Sequence, residues 1–135
     1  MPMTPSRTKS ILIAALGGEG GGVLSDWTIA AIRSAGYLVQ GTSIPGVAQR
    51  TGATTYYIEY LAAPHDEVAD RRPVFALTPI PGRVDVMVAS ELIEAARAAQ
   101  SGFISPDRTT LIASSHRIYT TSEKMAMTDG RFDVE

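Results

Sequence analysis

The sequence predicts an α/β domain of the three-layer, Rossmann-like kind, with a mixed, mainly parallel sheet. Three observations carry this. The apolar run Ile11-Leu12-Ile13-Ala14-Ala15-Leu16 stops at glycine and has the length of a strand buried on both faces. A glycine run and then a helix-periodic stretch follow it at once. Further runs rich in β-branched and aromatic residues recur down the chain between helical and turn-forming stretches.

Residues 1–9, with two prolines and small polar residues, read as a mobile tail, and residues 10–135 as one domain. Ser10–Leu16 is the first strand. Val23, Trp27, Ala30 and Ala31 recur at i, i+4, i+7 and i+8, one face of a helix. Trp27 is expected in the core or an interface on that face, and Gly36 is a natural stop. Tyr37-Leu38-Val39-Gln40 reads as a second strand. Strand, glycines, helix and strand make a βαβ unit, which favours parallel pairing and a right-handed crossover.

Ser43-Ile44-Pro45-Gly46 reads as a turn, and Val47 to Thr51 as a loop or short helical turn. Thr54 to Tyr60 is a strand, with Thr55, Tyr57 and Glu59 facing one way and Tyr56, Ile58 and Tyr60 the other. The connection before it is too short for a helical crossover, so this strand is expected to run antiparallel. Residues 62–73 are charged and proline-bounded, a solvated loop. Val84 to Ala89 is a strand. Ser90 is placed to cap the next helix, with Glu91 near its positive end, and Leu92, Ala95, Ala96 and Ala99 form its apolar stripe before Gly102. Thr110 to Ser114 is the last clear strand. Glu123 to Glu135 closes no recognisable element, so the domain is expected to continue past this end.

Composition excludes several functions. A length of 135 residues with 44% hydrophobic content suits one domain with a real core. The formal net charge is −2 and no dense Lys/Arg run occurs, which argues against a nucleic-acid or anionic-membrane surface. The absence of cysteine excludes disulfides, cysteine-ligated zinc and a cysteine-held iron–sulfur cluster in this chain. Any electron transfer must therefore use cofactors carried elsewhere. No apolar run reaches the roughly 20 residues that cross a bilayer. The N-terminal segment lacks the long apolar stretch of a signal peptide, so a cytoplasmic location is expected.

Chemistry concentrates in Gly17-Gly18-Glu19-Gly20-Gly21-Gly22. Glycines between a strand and a helix allow a sharp turn and close approach of a ligand, and the helix start offers free N–H groups to phosphate. The dinucleotide spacing G-x-G-x-x-G fails: from Gly18 the third glycine falls on Val23, and from Gly20 on Ser25. Val39-Gln40-Gly41-Thr42 has no acidic residue for a ribose. No Gly-Lys-Ser/Thr occurs either. Two readings stand: an anion cradle, or a tight turn with close helix packing and no ligand.

A second segment, Pro45-Gly46-Val47-Ala48-Gln49-Arg50-Thr51-Gly52, follows the second strand, where open α/β sheets gather ligands. Arg50 suits a phosphate or carboxylate, and Gln49 a hydrogen bond to substrate. The plainer reading is a turn with a solvated arginine. Ser43, Pro45, Gly46 and Thr51 complete the candidate binding set with the glycine run. No catalytic residue and no metal ligand are expected in this chain. His65 reads as a solvated loop residue and His116 as structural. Ser25-Asp26 with a distant histidine makes only a weak triad, since no G-x-S-x-G elbow exists.

At these segments the chain resembles a known family. Ala15 to Leu24 is similar to the first motif of the gamma-type domain of pyruvate and other 2-oxoacid:ferredoxin oxidoreductases, and Pro45 to Gly52 to its second. Ala89 to Ala95 and Ser114 to Lys124 also resemble that domain, in particular the beta subunits of the indolepyruvate branch. The likeness covers roughly residues 9–131. Glu19 departs from it, standing where the family often has glutamine, and its carboxylate would repel a phosphate. The resemblance implies oxidative decarboxylation of a 2-oxoacid, an arylpyruvate in that branch, with the acyl group joined to coenzyme A and two electrons passed to ferredoxin. It implies thiamine diphosphate and [4Fe-4S] clusters on a large alpha-type partner subunit, and none bound by this chain alone. Gly18 to Gly22 would then offer N–H groups to coenzyme A, and Gln49 and Arg50 would line the subunit interface or substrate cleft. A stand-alone nucleotide-binding or regulatory module, and a pure assembly subunit, are the other readings.

Overall fold

The computed structural model describes residues 8–45, 53–63 and 73–115. In chain order the elements are β1 (Thr8–Leu16), α1 (Gly21–Ser34), β2 (Val39–Pro45), β3 (Ala53–Leu61), β4 (Val86–Ala89), α2 (Leu92–Gln100) and β5 (Thr110–Ala113). They form one α/β sheet of five strands in the order β2-β3-β1-β4-β5. β4 pairs in parallel with both β1 and β5. β3 is antiparallel to β1 and to β2. Four strands therefore point one way and β3 opposes them: the sheet is mixed and mainly parallel, as expected.

One pairing differs from expectation. β1 and β2 flank α1 and run in the same direction, but they do not touch, because β3 lies between them. All nine residues of β3 pair with β1, from Thr8↔Leu61 to Leu16↔Ala53. The cause is composition. β3 is β-branched and aromatic along its length and suits a central place, whereas β2 carries Gly41 and Pro45, which belong at an edge. The edge position also lets β2 run on through Ser43 and Ile44 to Pro45, where a turn was expected. The expected antiparallel direction of β3 holds, as does its alternation: Tyr57 packs with Leu12, Met87, Ala95 and Ala98 in the core under α2, and Tyr56 lies under α1.

Both helices are turned relative to their expected faces. The side of α1 toward the sheet buries Gly21 and Ser25, while Val23 is exposed and Trp27 is 70% exposed. The strands beneath carry Tyr56 and Ile58, so the start of the helix comes close through the small residues Gly21 and Ser25, and further along Ile29 packs over Gly41 of β2. A Cβ on Gly41 would meet Ile29 Cδ1 at 2.4 Å. In α2 the buried side is Glu94, Ala95 and Ala98, and Ala96 and Ala99 are exposed. Four alanines in nine residues leave its apolar face poorly specified. The cap is Glu91, not Ser90: its carboxylate accepts from Glu94 N at 3.1 Å.

Candidate functional site

The glycine run makes the link from β1 to α1. Glu19 N donates to Leu16 O at 3.1 Å, closing a turn in which Gly18 holds φ 83°. Gly20, at φ 79°, is the N-cap, and Leu24 N donates to its carbonyl at 2.9 Å. Both angles lie in the left-handed region that glycine alone enters without penalty. Gly20 has no side chain with which to cap the helix, and no acidic residue occupies its first turn. Its first N–H groups thus have no intrahelical acceptor and carry the positive end of the helix dipole. Gly17 to Gly20 are exposed, with the Glu19 side chain in the turn just ahead of that end. Gly21 and Gly22 lie against the ring of Tyr56.

The sheet brings the two residues that flank the second candidate segment, Pro45 and Ala53, to the same end as the glycine run. Leu16, which precedes the glycines, pairs with Ala53, the first residue of β3. Pro45, the last residue of β2, pairs with Thr54. The connection between Pro45 and Ala53 therefore ends beside Leu16 and the glycine run and starts one strand further out. Ser43 is an exposed β2 residue opposite Tyr56. Gly46, Gln49, Arg50 and Thr51 lie outside the described residues, as do His65 and His116. Along the same edge β4 ends at Ala89, and Ser90 N donates to Ala14 O at 3.0 Å.

Two residues at this edge escaped the sequence reading. Tyr56 reads as an ordinary strand aromatic, and nothing in its spacing marks it as the ring packed beneath Gly21 and Gly22. Ser90 reads as a cap, but its Oγ is buried without a hydrogen-bond partner among the described residues.

A polar network at the other end of the sheet was also missed. Ser10 N donates to Asp85 Oδ2 at 2.9 Å, and Arg108 Nε pairs with Asp85 Oδ1 at 3.1 Å. The Tyr57 hydroxyl donates to Glu59 Oε1 at 3.1 Å, and Ala76 N donates to Glu59 Oε2. Burial, and then the Glu59 carboxylate, hold the Tyr57 phenol well above the usual tyrosine range. Burial, and then Asp85, raise Tyr60, whose ring stacks on Tyr37 with centroids 6.2 Å apart. Among the described residues no group of three or more His, Asp or Glu side chains is placed to hold a metal ion. No described helix is long and apolar enough to cross a membrane.

Residues 10–132 match the model of the pyruvate ferredoxin/flavodoxin oxidoreductase family. The chain belongs to that family. Its fold is similar to part of a solved structure, a 2-oxoglutarate:ferredoxin oxidoreductase from Magnetococcus marinus with 2-oxoglutarate, coenzyme A and succinyl-CoA bound. The TM-score is 0.60 at 16% identity, over 84% of this chain and 18% of that one. The family domain therefore spans under a fifth of the solved chain that it resembles, and at this identity the likeness is one of fold. No curated protein matches the sequence.

Proposed function

We propose that the chain is a small, cofactor-poor subunit of a cytoplasmic 2-oxoacid:ferredoxin oxidoreductase, with indolepyruvate or another arylpyruvate as substrate. The 2-oxoacid and coenzyme A become acyl-CoA, carbon dioxide and a proton, and two electrons pass to ferredoxin. Thiamine diphosphate and the [4Fe-4S] clusters belong in this reading to a large partner subunit, a division that the lack of cysteine supports. The observation that carries the reading is the shared end of the sheet, where the glycine run that leads into α1 follows Leu16, the partner of Ala53, and Pro45 ends β2 one strand further out.

The role of each segment follows from its chemistry. The N–H groups at the start of α1 suit the phosphates of coenzyme A. Gln49 and Arg50 belong to the cleft completed by the partner, Arg50 toward a phosphate or carboxylate. Glu19 sets a limit on that binding, because its charge opposes an anion placed directly over the turn.

Co-expression with a thiamine-binding, cysteine-rich subunit tests the proposal. The two should co-purify, and the pair should reduce a low-potential dye only with both indolepyruvate and coenzyme A present. Arg50→Ala should raise KM for coenzyme A by about tenfold, the worth of one charge-assisted contact. A chain that ignores such a partner and binds NAD(H) or ATP tightly by itself is not this subunit.

A further inference from the structure

An open cavity of about 480 Å³ lies at the end of the sheet opposite the glycine run. That volume falls in the range of small-molecule pockets, roughly 300–1,000 Å³. Its floor is made by the start of β1 and the end of β3, through Ser10, Tyr57 and Glu59, all buried. Each is fixed in place. Ser10 Oγ donates to the Arg83 carbonyl at 2.7 Å. The two Glu59 oxygens are taken by the Tyr57 hydroxyl and the Ala76 N–H. Glu59 is thus held as an acceptor, with no cation paired to it among the described residues.

Two arginines also line this cavity, Arg83 and Arg108. Arg108 spends Nε on Asp85 Oδ1, which leaves its outer nitrogens for another acceptor. The Arg83 side chain is exposed and makes no hydrogen bond or ion pair among the described residues. Val74, Ala76 and Ile80 supply apolar wall beside them, with Val74 95% exposed. An apolar residue so open to water on a cavity rim has surface to offer a ligand.

We propose that this cavity binds a small organic monoanion, its carboxylate on Arg83 and Arg108 and its apolar body against Val74, Ala76 and Ile80. The guanidinium fork matches a carboxylate in two parallel hydrogen bonds. Of the two arginines Arg108 is paired with Asp85, so Arg83 is the cation without a counter-charge among the described residues, and it faces the one carboxylate of the lining, Glu59. Glu59 also sets the selectivity, since its charge opposes a second negative group and disfavours phosphates and dicarboxylates. The site is separate from the glycine run and does not depend on the function proposed above.

Phenylacetate is the probe: it has the carboxylate and the apolar ring but no oxo group, so it is no substrate for the reaction proposed above. It should bind the full chain in calorimetry, with amide shifts at Ser10, Ala76 and Arg83. Acetate, phenethylamine and inorganic phosphate should each bind at least about tenfold more weakly, the worth of the missing ring or charge contact. Arg83→Gln should weaken phenylacetate about tenfold without moving the melting temperature, since the side chain is exposed and has no partner among the described residues, and Arg83→Lys should fall between. The proposal is overturned by Arg83→Gln binding phenylacetate as the parent does, or by shifts confined to Gly17–Gly22. It is equally overturned by no binding at millimolar probe, or by an acidic peptide that occupies the cavity where phenylacetate does not.

Discussion

The ring of Tyr56 lies on the backbone of Gly21, so that a Cβ there would stand 2.8 Å from Tyr56 Cε2 and 2.5 Å from Ala15 Cβ. Strand β3 thereby fixes how closely α1 approaches the sheet, and the glycine is a packing requirement at this position. Gly21→Ala should cost about 1–3 kcal/mol, the usual penalty of overpacking, reduced by the better helix propensity of alanine. Gly22 differs: its Cβ would meet the Tyr56 hydroxyl at 3.4 Å and the ring carbons Cε1 and Cζ at 3.9 Å, ordinary contacts. Gly22→Ala should be neutral, or stabilising by up to about 1 kcal/mol through the unfolded chain. Urea titrations of the two variants check the contrast, and equal costs would contradict it.

Gly18 and Gly20 are required for a different reason. Nothing lies within 4 Å of a Cβ built on either, yet both hold φ near +80°. Alanine at each should cost about 1–2 kcal/mol, the strain of an L-residue in the left-handed region. Gly20→Asn should recover part of that loss, because asparagine tolerates this region and is among the best N-cap residues. If asparagine proves as costly as alanine at Gly20 in the same titration, backbone strain is not the cause.

How much of this was legible follows from what each residue had to do. Strands and helices came from periodicity, since Ile11 to Leu16 and Thr54 to Tyr60 carry strong patterns. The order of strands did not, because the choice between β2 and β3 as neighbour of β1 is made by tertiary packing. Gly41 and Pro45 held a hint of it, as residues suited to an edge. The face of α1 runs otherwise than its stripe suggests because its contact side starts with small residues: Gly21 and Ser25 pack close and Ile29 follows over Gly41, while the visible stripe of Val23 and Trp27 points outward. At the candidate site the glycine run announced itself. Tyr56 and Ser90 did not, because each is defined by a neighbour distant in sequence.

Trp27 tests that rotation of α1 directly, since it is the sole tryptophan of the chain. At 70% exposure its truncation should change the stability of the isolated chain by no more than about 0.5 kcal/mol. A tryptophan in a core would instead cost about 3–5 kcal/mol when cut to alanine. Its fluorescence should show the red-shifted emission of a hydrated indole and be quenched readily by acrylamide. A blue, unquenched emission from the isolated chain, with a large stability loss in Trp27→Ala, would place it in the core after all.

The buried pair of Tyr57 and Glu59 gives the fold a defined alkaline limit. Tyr57 is 2% exposed, and its hydroxyl donates to Glu59 Oε1. Its folded pKa is raised above the ordinary value of 10.0, by burial first and the Glu59 charge second. The unfolded chain then loses this proton near pH 10 while the folded chain keeps it, so above that pH the unfolded state binds fewer protons. The stabilisation is fully present below pH 10 and is lost as pH climbs toward the folded pKa, at about 1.4 kcal/mol per pH unit for this one group. Tyr57→Phe should remove that share of the alkaline slope. Near neutrality the variant should be weaker by about 1–3 kcal/mol, because the buried Glu59 loses one of its two donors. Melting curves from pH 7 to 11, beside an ultraviolet titration of the phenols, supply both readings. An unchanged slope in Tyr57→Phe would assign the alkaline transition to other groups, Tyr60 first among them, since burial raises it as well.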